Sequence, residues 1–212
     1  MIQTTAWSYG PNAAELVTAP ASTPVTVDEL RLHSRDIPDE DSPVVRRCLG
    51  AATAYVEARS GLQLMPATYR LWLDAFPSVD YGGGRSGAIT LPRPPLRSVT
   101  EITYVDSNGV TQTLSAAVYA VDHRVRPGLV YPAYLQFWPL TRGTPNDVGV
   151  LYECGFVQPS AIPDSLRAAL CLIAAHLYEH REETISGTII ANIPHGADDL
   201  IYSTPGIVRL CP

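Results

Sequence analysis

Apolar positions along the 212 residues follow a period near 3.6 toward both ends and a period of two in the middle. Thr26 followed by Glu29 has the capping-box spacing and predicts a short helix running to about Arg35. A second helix is expected over 42–60. Ser42 serves as its cap, Pro43 takes its first position, and Val45, Cys48, Leu49, Ala52, Tyr55, Val56 and Arg59 recur at helical spacing up to Gly61. Arg46, Arg47, Glu57 and Arg59 fall on its outer or lateral positions. The longest helical pattern, 162–183, opens on Pro163 and Asp164 and carries Leu166, Ala169, Leu170, Ile173, Ala174 and Leu177 as one stripe. Such a stripe needs an apolar partner, because each large side chain it buries contributes about 1.5–3 kcal/mol. The 42–60 helix is that partner.

Between the helices the chain reads as strands. TYRLWLDAF (68–76) alternates Tyr69, Leu71, Leu73 and Ala75 against Arg70, Trp72 and Asp74. AITLPRPPL gives a strand and a corner. SVTEITYVD and VTQTLS form a hairpin closed by Asn108-Gly109, the strongest short-range turn signal. AVYAVDHRV with GLVYP makes another hairpin, VGVLYECGF (148–156) a further strand, and FWP (137–139) a plug from surface to core. The fold class expected is α+β: a helical bundle core from the N- and C-terminal helices (25–65 and 158–183), with a small antiparallel β domain inserted at 66–157. Residues 1–24, rich in Thr, Ala, Ser and Pro, read as an extended arm. The segment 184–212 holds two apolar clusters, Ile185 to Ile193 and Leu200 to Leu210, broken by Gly and Pro. It is too apolar for a solvated linker and too broken for a helix, so it is expected to be a docking tail.

Composition removes several function classes. All 15 basic residues are arginine, which leaves no lysine for a P-loop or for Schiff-base chemistry. A formal charge of −6 argues against gripping nucleic acid through its phosphates. Cys48, Cys154, Cys171 and Cys211 show no CxxC spacing and read as small hydrophobes of a reducing cytoplasm rather than as a zinc or disulfide set. The beginning MIQTTAWSYG lacks the pattern of a signal peptide, and no apolar run approaches the roughly 20 residues that span a bilayer, so no membrane partner is expected.

Candidate chemistry is sparse. The glycines of YGGGRSG (81–87) match neither GxGxxG nor the P-loop. His176, Glu179, His180 and Glu183 share a helix side, since steps of three, four and seven residues do. Two His at i and i+4 with a carboxylate form a divalent-metal candidate, so a metal-dependent hydrolase using His176, His180 and Glu183 is a remote alternative. The set is not HExxH, because Leu177 stands where the general base would be. The plainer reading is a polar helix flank making salt bridges or subunit contacts. No GxSxG is present, and His33, His123 and His195 are isolated. No catalytic residue, metal or cofactor is assigned.

Several of these stretches together resemble the head–tail connector family of tailed phages, also called adaptors or head-completion proteins. They are PVTVDELRLHSR, AATAYVEARSGLQL, TYRLWLDAFP, LPRPPLRSVTEITYVDSNG (91–109), VYAVD and AHLYEHRE (175–182), and they cover about residues 24–183. Related proteins occur in phages, prophages and gene transfer agents. The resemblance implies a non-enzymatic virion protein of the neck. Such a protein forms a ring, usually dodecameric, under the portal, extends the DNA channel and docks the stopper or tail. A tail-completion or stopper protein of the same neck is the alternative.

The partners implied are the portal protein, a stopper or tail-completion protein, further copies of the chain, and DNA that passes without specific binding. The protein would be found in the virion neck, and in the host cytoplasm during assembly. In relatives the C-terminal segment commonly reaches the portal. That makes Leu200, Ile201, Tyr202, Ile207, Val208 and Leu210 the portal-contact candidates, although DDLIYSTPGIVRLCP is longer than many such endings and the arm 1–23 exceeds the usual beginning. Channel-lining candidates are Asp39, Glu40, Asp41, Glu179, Glu182 and Glu183, and ring-interface candidates are Arg46, Arg47, His176, Tyr178 and Arg181. On this reading the tail orders only on binding, and deleting 196–212 leaves the core folded.

Overall fold

The computed structural model describes residues 14–34, 37–78, 87–180, 195–204 and 207. The chain divides into two compact units: one of residues up to 19 together with 67–155, the other of 20–66 together with 156 onward. The first is all antiparallel β and the second is helical, so the class is α+β.

The β unit contains a five-stranded sheet in the order β1 (Ala14–Thr18), β2 (Ala67–Leu73), β8 (Val148–Cys154), β4 (Leu96–Val105), β5 (Thr111–Thr113). A three-stranded sheet runs β3 (Ile89–Leu91), β7 (Gly128–Pro132), β6 (Tyr119–Asp122). Alternation decides which residues enter the core. Ala67, Tyr69 and Leu71 of β2 are buried, as are Val148, Val150, Tyr152 and Cys154 of β8, and they share one cluster with Ile89, Leu91 and Val130 of the smaller sheet. On β2, Arg70 lies between these buried positions and pairs with Glu101 at 3.4 Å, and Arg97 of β4 pairs with Glu153 of β8 at 2.9 Å.

The hairpin at Asn108-Gly109 forms as expected, with Gly109 at φ 81. Asp106 fixes it by accepting from the backbone N–H groups of Asn108 (2.9 Å) and Val110 (3.0 Å) and from the Gln112 amide (3.1 Å). Those bonds, the Val110 N–H first, hold the Asp106 carboxyl below its usual range; the Thr144 hydroxyl, at 2.5 Å, does the same for Asp147. A carboxyl depressed in the folded state stabilises fully above its unfolded value, about 3.9, and loses that contribution as pH falls through the lower folded value. The β unit should therefore lose melting temperature on acidification below about pH 4. Asp106→Asn should flatten part of that loss, and a pH-independent melting curve would contradict the assignment.

One expectation needs correction here. Ala14–Thr18 lies within the segment read as an extended arm, yet it pairs with β2, with Ala14 opposite Leu71 and Leu16 opposite Tyr69. A bulge between Leu16 and Thr18 breaks its alternation, which is why AELVT carries no period-two signal. Residues 1–13 lie outside the described residues.

In the helical unit α1 (Val27–His33) is capped by Thr26, whose hydroxyl accepts from the Glu29 N–H at 3.1 Å. The helix stops at His33, short of Arg35, which lies outside the described residues. A one-turn 3-10 segment, Asp39–Asp41, runs directly into α2 (Ser42–Ser60). Ser42 is therefore the first helical residue and not the cap; its hydroxyl donates to the Asp39 carbonyl at 2.6 Å and accepts from Arg31 at 2.8 Å. Gly61 ends α2 in the left-handed conformation, φ 69.

The long C-terminal pattern forms α3 (Asp164–Glu179), whose buried Leu166, Ala169, Leu170, Ile173 and Ala174 pack with Val45, Leu49, Ala52 and Val56 of α2. The segment read as too broken for a helix contains α4 (His195–Tyr202), which buries Ala197 and Ile201 in the same core. Ala197 and Ile201 stand at i and i+4, and Asp198 lies in the first turn, so a short amphipathic helix was present in the pattern. No helix among the described residues is long and apolar enough to cross a membrane.

Candidate docking surfaces

Several polar residues of the helical unit hold its helices together. Arg31 of α1 reaches Asp39 at 3.0 Å, Asp28 at 3.4 Å, the Pro38 carbonyl at 3.3 Å and Ser42 at 2.8 Å, tying α1 to the turn before α2. Arg167 of α3 bonds Glu29 of α1. Tyr178, a ring-interface candidate, donates its hydroxyl to Asp41, a channel candidate, so these two residues engage each other across α3 and the 3-10 turn. Asp39 and Glu40 remain exposed on that turn, as do Arg46 and Arg47 on α2 and Glu179 at the end of α3. Arg181, Glu182 and Glu183 lie outside the described residues.

The described portal-contact candidates are docked on their own helices. Ile201 is fully buried, Leu200 and Ile207 pack against the core, and Arg59 of α2 stands over the Tyr202 ring at 5.8 Å. The latch is polar at its rim. Asp198 accepts from Arg59 at 2.7 Å and from the Tyr55 hydroxyl at 3.2 Å, and the Thr204 and Ser165 hydroxyls meet at 2.7 Å. Asp198 holds the Arg59 guanidinium above its ordinary pKa, while burial and then the Asp198 charge push the Tyr55 hydroxyl up. Because the Arg59 side chain is 45% exposed, this ion pair is screened. Arg59→Ala should cost the fold about 1 kcal/mol or less. Denaturation of Arg59→Ala, Asp198→Ala and the double variant should give a coupling of that size, and strictly additive effects would contradict the latch. Val208 and Leu210 lie outside the described residues.

Of the metal candidate, His176 and His180 lie with ring centroids 4.4 Å apart and planes tilted by 31°, and Glu183 lies outside the described residues. No group of three or more His, Cys, Asp or Glu that could hold a metal occurs among the described residues. Metal analysis of the purified chain should find no stoichiometric zinc, with or without His176→Ala; one bound equivalent lost in the variant would revive the hydrolase reading. An open cleft of about 280 Å³ beside β3 and β7 is lined by Ala88, Thr90, Val125, Arg126, Pro127 and Leu129, which offer one charge and one hydroxyl.

The β unit shows an exposed apolar loop. Within FWP only Trp138 is a plug: its ring stacks on Phe76 at 4.8 Å and its Nε1 donates to the Gly87 carbonyl at 2.7 Å. Phe137 stays 66% exposed, with Tyr134 at 90%, Leu135 at 76% and Leu140 at 86%. The cluster YPAYLQFWPL was legible as an apolar run without strand period, but nothing local said which members would turn outward.

The two-unit α+β chain thus uses several charges as ties between helices and shows Tyr134, Leu135, Phe137 and Leu140 on one loop. The chain is similar to one in the virion of a native gene transfer agent particle, at 27% identity and TM-score 0.70 over 90% of this chain and 93% of that one. It is also similar to chains in the neck of the native particle, computed with C12 symmetry (27% identity, TM-score 0.64), and in the neck of the empty particle, computed with C6 symmetry (28%, 0.68). Those two matches cover 90% of this chain and 93% and 94% of the others. No protein-family model and no curated protein matches the sequence. The similarity supports a structural protein of a phage-like neck.

Proposed function

We propose that this chain is a head–tail adaptor: a virion protein that assembles as a ring, twelvefold, under the portal of a phage, prophage or gene transfer agent particle. There it extends the DNA channel, docks the stopper or tail, and performs no catalysis. The observation that carries the reading is the similarity, over nine-tenths of the chain, to chains of gene transfer agent necks computed with C12 and C6 symmetry. It passes through the host cytoplasm before assembly.

The charge suits that role. Twelve copies at −6 each carry −72. An acidic wall keeps DNA central and lets it pass, where an arginine-lined wall would retain it. Asp39 and Glu40 on their exposed turn, with Glu179, Glu182 and Glu183, are the residues assigned to that wall. Asp41 is assigned to fixing the turn through Tyr178. Arg46, Arg47, His176 and Arg181 are assigned to contacts between copies. The portal contact is assigned to the C-terminal segment carried by α4, with Leu200, Tyr202, Ile207, Val208 and Leu210 as its apolar members.

Mixing the full-length protein with isolated portal rings and weighing the products by mass photometry tests this. A portal complex formed without any tail protein is expected. Binding to a tail component alone would instead make the chain a stopper or tail-completion protein.

A further inference from the structure

We propose that Asn108 is a site of spontaneous deamidation, and that Asp106, by holding the turn shut, sets how slowly the reaction runs. The chain has four asparagines, at 12, 108, 146 and 192, followed by Ala, Gly, Asp and Ile. Asn108 alone therefore has a backbone nitrogen unhindered by a neighbouring side chain next to its own amide. The turn keeps that pairing, because Gly109 stands at φ 81, where any side chain is strained, and Asn108 is exposed to water. In the reaction the Gly109 amide gives its proton to hydroxide, and its nitrogen attacks Cγ of Asn108. The new N–Cγ bond closes a five-membered imide. The old Cγ–N bond breaks, and the side-chain nitrogen leaves as ammonia, taking a proton from water. Water then opens the ring at either carbonyl, giving aspartate or isoaspartate, so the net change is one water consumed, one ammonia released and one carboxylate gained.

The fold restrains the first step in three ways. The Gly109 N–H, whose proton must leave, donates to the Asp106 carbonyl at 2.9 Å. The Asp106 carboxylate accepts from the N–H groups of Asn108 at 2.9 Å and Val110 at 3.0 Å, so the chain is fixed on both sides of the bond that would cyclise. A negative charge at this place also opposes an anionic nitrogen, and bonds from the Val110 N–H first, then from Gln112, Asn108 and Gly109, keep that carboxyl ionised. Ring closure therefore waits for the turn to open. Its products damage the turn that delayed it. Isoaspartate adds a backbone atom between 108 and 109, and aspartate sets a second carboxylate two residues from Asp106. Among the described residues β5 pairs with β4 alone, from Val105 opposite Thr111 to Thr103 opposite Thr113, so either product loosens this edge strand.

The test incubates the full-length protein at mildly alkaline pH, either folded or unfolded in urea. The tryptic peptide 98–124, in which Asn108 is the sole asparagine, is then followed by mass spectrometry for a gain of one mass unit at 108. Conversion is expected in both samples, ahead of the other three asparagines in the unfolded chain, and roughly tenfold slower in the folded one. Folded Asp106→Ala should convert at close to the unfolded rate. Asp106→Ser, which keeps a hydroxyl acceptor for the turn without the charge, should fall between. Circular dichroism and melting establish that each variant is folded; if one is not, the folded and unfolded parent still decide. Equal rates in the folded and unfolded parent would overturn the proposal. So would an unfolded chain in which another asparagine converts first, or folded variants that convert no faster than the parent.

Discussion

Ile201→Ala is expected to destabilise the helical unit by about 2–5 kcal/mol, the range for truncating a large buried aliphatic side chain. Ile201 has no exposed surface and lies in one core with Leu166, Leu170 and Ile173 of α3 and Val56 of α2. Its removal leaves a cavity that α4 can close only by shifting, and α4 is otherwise held by Ala197, the Asp198 latch and the Ser165–Thr204 contact. Urea denaturation read through helical circular dichroism should show the midpoint fall, with α4 protected less from hydrogen exchange than in the parent. A loss below about 1 kcal/mol would mean that α4 is not part of the core. The same geometry revises the expectation that 196–212 is removable. Deleting it takes Ala197 and Ile201 with it and uncovers apolar side chains of α2 and α3, so truncation should lower stability as well as any attachment.

Gly128→Ala is the second large effect, and it falls in the β unit. A Cβ at Gly128 of β7 would stand 2.5 Å from Leu96 Cδ2 and 2.7 Å from Leu96 Cβ. The first contact can be relieved by a rotamer, but the second requires β4 to move, and β4 is fixed by its long pairing with β8. Overpacking of this kind costs about 1–3 kcal/mol. Gly50 provides the control: nothing lies within 4 Å of its Cβ position, and it is exposed inside α2. Gly50→Ala should stabilise by about 0.5–1 kcal/mol through helix propensity. Thermal melts of the two variants should move in opposite directions, and two shifts of the same sign would contradict the packing described.

Local signals were the readable part of this chain. Thr26 with Glu29, Gly61, Asn108-Gly109 and the stripe from Leu166 to Ala174 each act through residues within a turn or two, and each stands in the structure where the pattern put it. What the sequence hid is non-local. β1 exists because Leu16 finds Tyr69 some fifty residues away, across a bulge that erases the alternation. Ser42 loses its cap role because Asp39–Asp41 winds first and draws Arg31 over it. α4 was masked by its flanking Pro and Gly, and its short stripe becomes meaningful only when α2 and α3 offer a face. Of the candidate surface residues, the acids at 39 and 40 and the arginines at 46 and 47 are exposed, whereas Ile201 and Asp41 have partners within the chain, which no local pattern announces.

Electron cryomicroscopy of intact necks from particles carrying this chain, reconstructed without imposed symmetry, decides whether it is the adaptor ring. Twelve copies in one closed ring directly against the portal are expected, with Asp39 and Glu40 toward the lumen. A neck whose portal-proximal ring is another protein, with this chain absent or present in a single copy, would contradict it.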